Sequence, residues 1–214
     1  MGCSQCVGLE VETQKWAQSD LAQYRRGKQN RTTKMLIRSL IDSGVGEQTL
    51  LDIGGGIGEI PLELLAAGAA SATSVEISTA YINTARREAA RKGLAERISW
   101  LHGDFVTLAD QVPDADIVAL NRTVCCYPDY QALVGQSVSK AGRIYALVIP
   151  RDWWINRLAL KIMNWFYKAQ KSLYVAYVHP VDEIDRMIQS RGFKPQYRQS
   201  TLGWHVWVYA RGQG

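Results

Sequence analysis

Four glycines, Gly54, Gly55, Gly56 and Gly58, fall within five positions of the stretch LLDIGGGIGEI at residues 50–60, directly behind an apolar run. Glycine loses more conformational freedom on ordering than any other residue, so such a cluster marks a place where something approaches the backbone closely. A strand, a glycine-rich turn and a helix start together make a corner whose first N–H groups have no partner in the helix, suited to a ligand.

Two common ligands of such corners do not match the spacing. A phosphate-binding loop needs a Lys-Ser/Thr pair after its second glycine, and no lysine follows here. A dinucleotide fingerprint counted from Gly54 needs a third glycine at 59, where Glu59 stands, and a carboxylate at a helix start repels a pyrophosphate.

The rest of the chain alternates between the two apolar periods. Strands are predicted at 49–53, 72–77, 98–102, 117–120 and 143–148, with helices at 33–41, after the glycines to Gly68, at 79–92 behind an Ser78 N-cap, at 130–138 and at 181–190. Two closing strands at 194–200 and 205–210 read as a hairpin with Gly203 at its turn. Alternating elements with nearly continuous apolar strands predict a three-layer α/β sandwich: a mostly parallel seven-stranded sheet, covered on both faces, with one antiparallel strand from the hairpin. Residues 1–31 precede the alternation and are expected to form a lid or cap on a domain at 32–214, which carries a helical insertion at about 152–178.

The spacing Asp52-x-Gly54-x-Gly56-x-Gly58 resembles the first motif of the class I, Rossmann-like S-adenosylmethionine-dependent methyltransferases. The likeness continues at Glu76-Ile77, at the end of the second strand, and at Asp104-Phe105, at the end of the third. It ends at DIVALNRTVCCYPDY (116–130), the fourth strand and the loop behind it. It implies S-adenosylmethionine as cofactor, bound by Gly54, Gly55, Gly56 and Gly58, with Asp52 at the methionine end, Glu76 on the ribose hydroxyls, Asp104 and Phe105 at the adenine, and Asn121 where cofactor and acceptor meet. The physics is compatible: this ligand carries no phosphate for Glu59 to repel, its cationic groups suit Asp52, and two vicinal hydroxyls suit a bidentate acceptor. The Tyr127-Pro128 pair also resembles the magnesium-protoporphyrin methyltransferases, which hold a histidine two residues before that proline; Cys126 stands there in this chain.

Methyl transfer from a sulfonium is an in-line displacement that needs a base only for an acceptor protonated at neutral pH. Of the histidines, His179 lies on a loop beyond the fifth strand and ranks first, ahead of His102 and His205. Tyr127 is placed on the acceptor side. Tyr24 and Arg25 are expected either to close over the methionine end or to form a solvated basic turn. The insertion WWINRLALKIMNWFYKAQK (153–171) has three readings: a helix packed on the domain, a cover over a greasy acceptor pocket, or a face for peripheral membrane contact. The expected acceptor is therefore a small apolar or aromatic molecule, methylated on oxygen or carbon; the alternative is a cofactor-binding regulatory partner without turnover.

Composition narrows the field. With 47% hydrophobic and 21% charged residues the chain is ordinary for a globular protein, and its net charge of +5 is scattered and lacks any nucleic-acid motif. No leader or membrane-spanning run is seen, which points to a cytoplasmic protein with reduced thiols. Cys3-x-x-Cys6 and the adjacent Cys125-Cys126 do not supply four convergent zinc ligands, so no metal is expected. Met-Gly at the start lacks the Ser or Thr at position six that myristoylation requires.

Overall fold

The computed structural model describes residues 10–212; Cys3 and Cys6 lie outside them. In chain order the elements are α1 (Glu10–Arg25), α2 (Arg31–Asp42), β1 (Thr49–Ile53), α3 (Glu59–Ala66), β2 (Ser71–Glu76), α4 (Thr79–Arg91), β3 (Ile98–His102), α5 (Phe105–Leu108), β4 (Ala115–Asn121), α6 (Tyr130–Ser139), β5 (Ala141–Pro150), α7 (Trp154–Ala169), α8 (Val181–Gln189), β6 (Phe193–Ser200) and β7 (Trp204–Arg211).

One seven-stranded sheet runs β3-β2-β1-β4-β5-β7-β6. Five strands are parallel neighbours, and β7 runs antiparallel to both β5 and β6. The predicted fold class is thus the observed one, with the hairpin contributing the single reversed strand. Period-two alternation splits the core. Leu51, Ile53, Val118, Leu120 and Leu147 pack under α6 and α8 on one face, while Leu50, Ile117, Ala119 and Val148 pack with residues of α2 and α3 on the other.

Strand order reverses between β1 and β4, so their carboxyl ends splay and leave a crevice at the switch point. Ser78 caps α4 as predicted, its Oγ accepting from Tyr81 N at 3.3 Å. That cap also anchors α1: Ser78 Oγ donates to Thr13 Oγ1 at 2.7 Å, Tyr81 Oη donates to Asp20 Oδ2 at 2.7 Å, and Arg25 pairs with Glu88 at 2.7 Å. The segment ahead of the alternation is therefore a helix clamped along α4, next to the crevice.

Candidate active site

A cavity of about 550 Å³ opens at the switch point, walled by the ends of β1, β2 and β4, by α1, and by Met163, Tyr167, Tyr174 and Val175 from α7 and the segment after it. Asp52, Gly54, Gly55, Gly56, Glu76, Ile77, Asn121 and Tyr127, all singled out in the sequence, share this wall.

The glycine turn takes its shape from conformations that side chains resist. Gly54 and Gly56 lie at φ +69° and +55°, in the left-handed region. A Cβ on Gly54 would stand 2.5 Å from the Thr123 side chain, and one on Gly55 would stand 2.5 Å from both Asp52 Oδ2 and Ser74 Oγ. Gly58 caps α3 at φ +77° and faces Trp100 rather than the cavity.

Asp52 is the unusual group of the site. Its side chain is 1% exposed, and neither carboxylate oxygen has a hydrogen-bond partner among the described residues. Burial, reinforced by the negative charges of Glu76 and Glu59, pushes its pKa up to about 8. Glu59, at the start of α3, is raised to about 7 by burial and by Asp20 and Glu63. Glu76 is differently supported: Oε2 accepts from Gly56 N and Oε1 from Ser78 N, both at 2.9 Å. These backbone donors fix the carboxylate at the cavity edge.

Across the cavity the wall is aromatic. Trp16 of α1 meets Tyr174 edge-on at 5.8 Å, and Tyr167 meets Tyr174 at 5.1 Å. Cys126 faces the same space, its Sγ 3.3 Å from Tyr174 Oη and 3.7 Å from Cys125 Sγ. Hydrogen bonding from Cys125, helped by Tyr174 and Arg122, holds the Cys126 thiol down, while Cys125 is pushed up. Arg122 sits at φ +62° with its guanidinium 4.4 Å from the Trp204 ring.

Other expected residues lie off this wall. Tyr24 is buried against the core, donating to Glu63 Oε1 at 2.5 Å and accepting from Lys92. It stands one residue round the helix from Gln23, which does face the cavity, and Arg25 reaches Glu88 instead. Neither lines the cavity. His179 is buried between Tyr177 and Tyr130, its Nε2 donating toward the carbonyls of Val124 and Tyr127 at 3.1 and 3.0 Å. Burial lowers its pKa, so a neutral ring props the 124–127 turn from behind. Asp104 caps α5 through Val106 N and accepts from Tyr127 Oη, both at 3.0 Å, while Phe105 is packed in the core. Tyr127 thus stands between Asp104 and the cavity. Sequence reasoning missed Trp16, Asp20, Tyr81, Tyr167 and Tyr174 as wall residues, because tertiary packing alone brings α1 and α7 to the β-strand ends.

Residues 50–139, from β1 to the end of α6, match the family model of a methyltransferase domain. That match spans less than half of the chain. No curated protein matches the sequence. Among solved structures it is similar to the magnesium protoporphyrin IX methyltransferase of Synechocystis PCC 6803 with bound S-adenosylmethionine, at 20% identity over 92% of this chain and 84% of that one, TM-score 0.66. It is also similar to an O-methyltransferase family 2 protein from Planctomyces limnophilus in complex with apigenin, at 16% identity over 95% and 62%, TM-score 0.66. The [4+2]-cyclase SpnF shares the fold as well, at 13% identity over 82% and 80%, TM-score 0.61. At these identities the likeness is one of fold. Among the described residues no helix is long and apolar enough to cross a membrane, and no His, Cys, Asp and Glu cluster could hold a metal.

Proposed function

We propose that the protein transfers a methyl group from S-adenosylmethionine to a small apolar or aromatic acceptor, on oxygen or carbon. The observation that carries this reading is the unpartnered Asp52 carboxylate. A buried acid without a donor is costly to ionise, and a cation delivered through the glycine turn would supply its missing partner. S-adenosylmethionine, when bound, supplies an electrophilic methyl group on a sulfonium and a cationic ammonium.

The chain's own groups then have separable tasks. Asp52 holds the cationic methionine end, with Gly54, Gly55 and Gly56 allowing the approach and Gly58 shaping the helix start. Glu76, already aimed by two N–H donors, takes the ribose hydroxyls beside Ile77. Asp104 takes the adenine amino group by exchanging the Tyr127 phenol for it, over the floor that Phe105 supports, and Asn121 borders the methyl group. Trp16, Tyr127, Tyr167 and Tyr174 exclude water and orient a flat or greasy acceptor, which supplies much of the rate by positioning. Where the acceptor carries a proton, Cys126 on that wall, as a thiolate, can receive it. His179 is a positioning residue for the Tyr127 turn, and residues 1–31 act as the cap through α1.

The test is a screen of aromatic and apolar acceptors with methyl-labelled S-adenosylmethionine. Labelled product, lost when Glu76→Ala weakens cofactor binding by about 1.5–3 kcal/mol, supports the proposal. Stoichiometric cofactor binding without product from any acceptor would instead make the chain a cofactor-binding partner protein.

A further inference from the structure

Helix α7 is built inside out. None of its 16 residues is buried. Its inward side is anchored by amides: Asn156 Nδ2 donates to the carbonyls of Arg151 and Gly203 at 2.9 and 2.8 Å, and Asn164 pairs with the Ala176 backbone at 2.8 and 3.0 Å. Met163 and Tyr167, on that same side, reach the cavity wall. The outer side carries Trp154, Ile155, Leu158, Ile162, Trp165 and Phe166, between 40% and 70% exposed. At about 100° per residue, these six occupy one arc of roughly 120°. The neighbouring turns extend the apolar surface with Leu173 at 55% and Leu202 at 79% exposed.

A continuous apolar arc of this size facing water marks a docking surface rather than a packed helix. Its border indicates what docks. Arg157, Lys161 and Lys168 follow one another along the strip beside the arc. Arg157 pairs with Asp152, whereas Lys161 and Lys168 meet no carboxylate among the described residues. Apolar side chains flanked by long cations, with tryptophans towards both ends, match the boundary between acyl chains and anionic headgroups. There the rings and aliphatic stems sink in and the ammonium groups stay among the phosphates. A net charge of +5 adds long-range attraction to the same surface.

We propose that α7 is a membrane-surface helix that seats the protein on a bilayer containing anionic lipid, lying along it rather than across it. Docked this way, the helix stands between the bilayer and the aromatic side of the cavity.

The test is sedimentation of the full chain with vesicles of phosphatidylcholine, alone or mixed with phosphatidylglycerol, read alongside tryptophan emission. The expected result is partition onto the mixed vesicles with a blue shift. The double variant Ile162→Ser/Trp165→Ser and, independently, Lys161→Glu/Lys168→Glu should each weaken partition about tenfold or more. All four side chains are exposed or outward-facing, so the thermal midpoint should hold, and the lysine pair keeps the test valid if the apolar pair disturbs folding. The proposal is overturned if the chain ignores mixed vesicles, if both double variants bind as the parent does, or if Ile162→Ser/Trp165→Ser abolishes a self-association that occurs without lipid. The last result would assign the face to a second copy. Because no methyl acceptor is involved, the outcome does not depend on the proposed reaction.

Discussion

Two buried carboxylates, Glu88 towards the C-terminal end of α4 and Asp52 near the end of β1, show how the same chemical group serves opposite ends. Glu88, on the seam between α1 and α4, has a side chain with no exposure and accepts from Arg25 Nε and Nη2 at 3.0 and 2.7 Å and from Arg91 Nε and Nη2 at 3.0 and 2.6 Å. Those guanidinium bonds, Arg91's first, outweigh burial and hold it down to about 2. Asp52, on the cavity floor, is equally buried but has no donor among the described residues, and burial pushes it up to about 8. A satisfied buried charge is structure already completed within the chain. An unsatisfied one, at a cavity wall and beside glycines that keep the approach open, is a position that a ligand can complete.

The contrast can be broken from either side. The largest effect is expected from Asp52→Asn, which removes the charge but keeps the shape. Binding of S-adenosylmethionine should weaken by about 3 kcal/mol, roughly a hundredfold, while the empty protein stays at least as stable, as calorimetric titration and thermal melting would show. Glu88→Gln should do the reverse. It removes charge-assisted bonds from two half-exposed arginines to a buried carboxylate at the α1–α4 seam and should cost about 1–3 kcal/mol in urea unfolding, with cofactor affinity changed by less than about 0.5 kcal/mol.

The two acids also predict opposite pH behaviour. Asp52 binds its proton more tightly folded than unfolded, so its contribution to the empty protein's stability is present below about pH 4 and disappears as pH rises through about 8. Glu88 is the converse: its contribution is present above its unfolded value of 4.5 and disappears as pH falls towards 2. Unfolding measured across pH 4–8 should therefore show a fall on the order of a few kcal/mol, which Asp52→Asn reduces to the part that Glu59 contributes and Glu88→Gln leaves in place. The smallest effect is expected from Arg25→Ala. Arg91 still holds Glu88, and Arg25's side chain is 47% exposed, so equilibrium unfolding should register a loss of about 1 kcal/mol or less.

Much of the sheet was legible because its elements are locally consistent. Strands 49–53 and 98–102 were placed to the residue, each a short apolar run bounded by turn residues. The Asp52, Gly54, Gly56, Glu76 and Asn121 constellation followed from strand ends, which topology must gather at the switch point. What could not be read was the partner of each polar group. Tyr24 and Arg25 lie within the expected cap, yet one residue's rotation on α1 turns them to Glu63 and Glu88, and Gln23 and Asp20 to the cavity. The helix itself lacks a clear apolar stripe, so no periodicity announced that face. Tyr127 was assigned to the acceptor side and lines the cavity, but its bond to Asp104 depends on a turn that His179 supports from behind.

The most direct measurement is calorimetric titration of the full chain with S-adenosylmethionine near pH 7, in two buffers of different ionisation enthalpy. If Asp52 awaits a cation, it is largely protonated when the cavity is empty and ionises on binding, so micromolar binding should release up to about one proton; Asp52→Asn should lose both the affinity and the release. Binding with no proton released, undiminished in Asp52→Asn, would contradict the account, as would binding of NADH in place of the sulfonium.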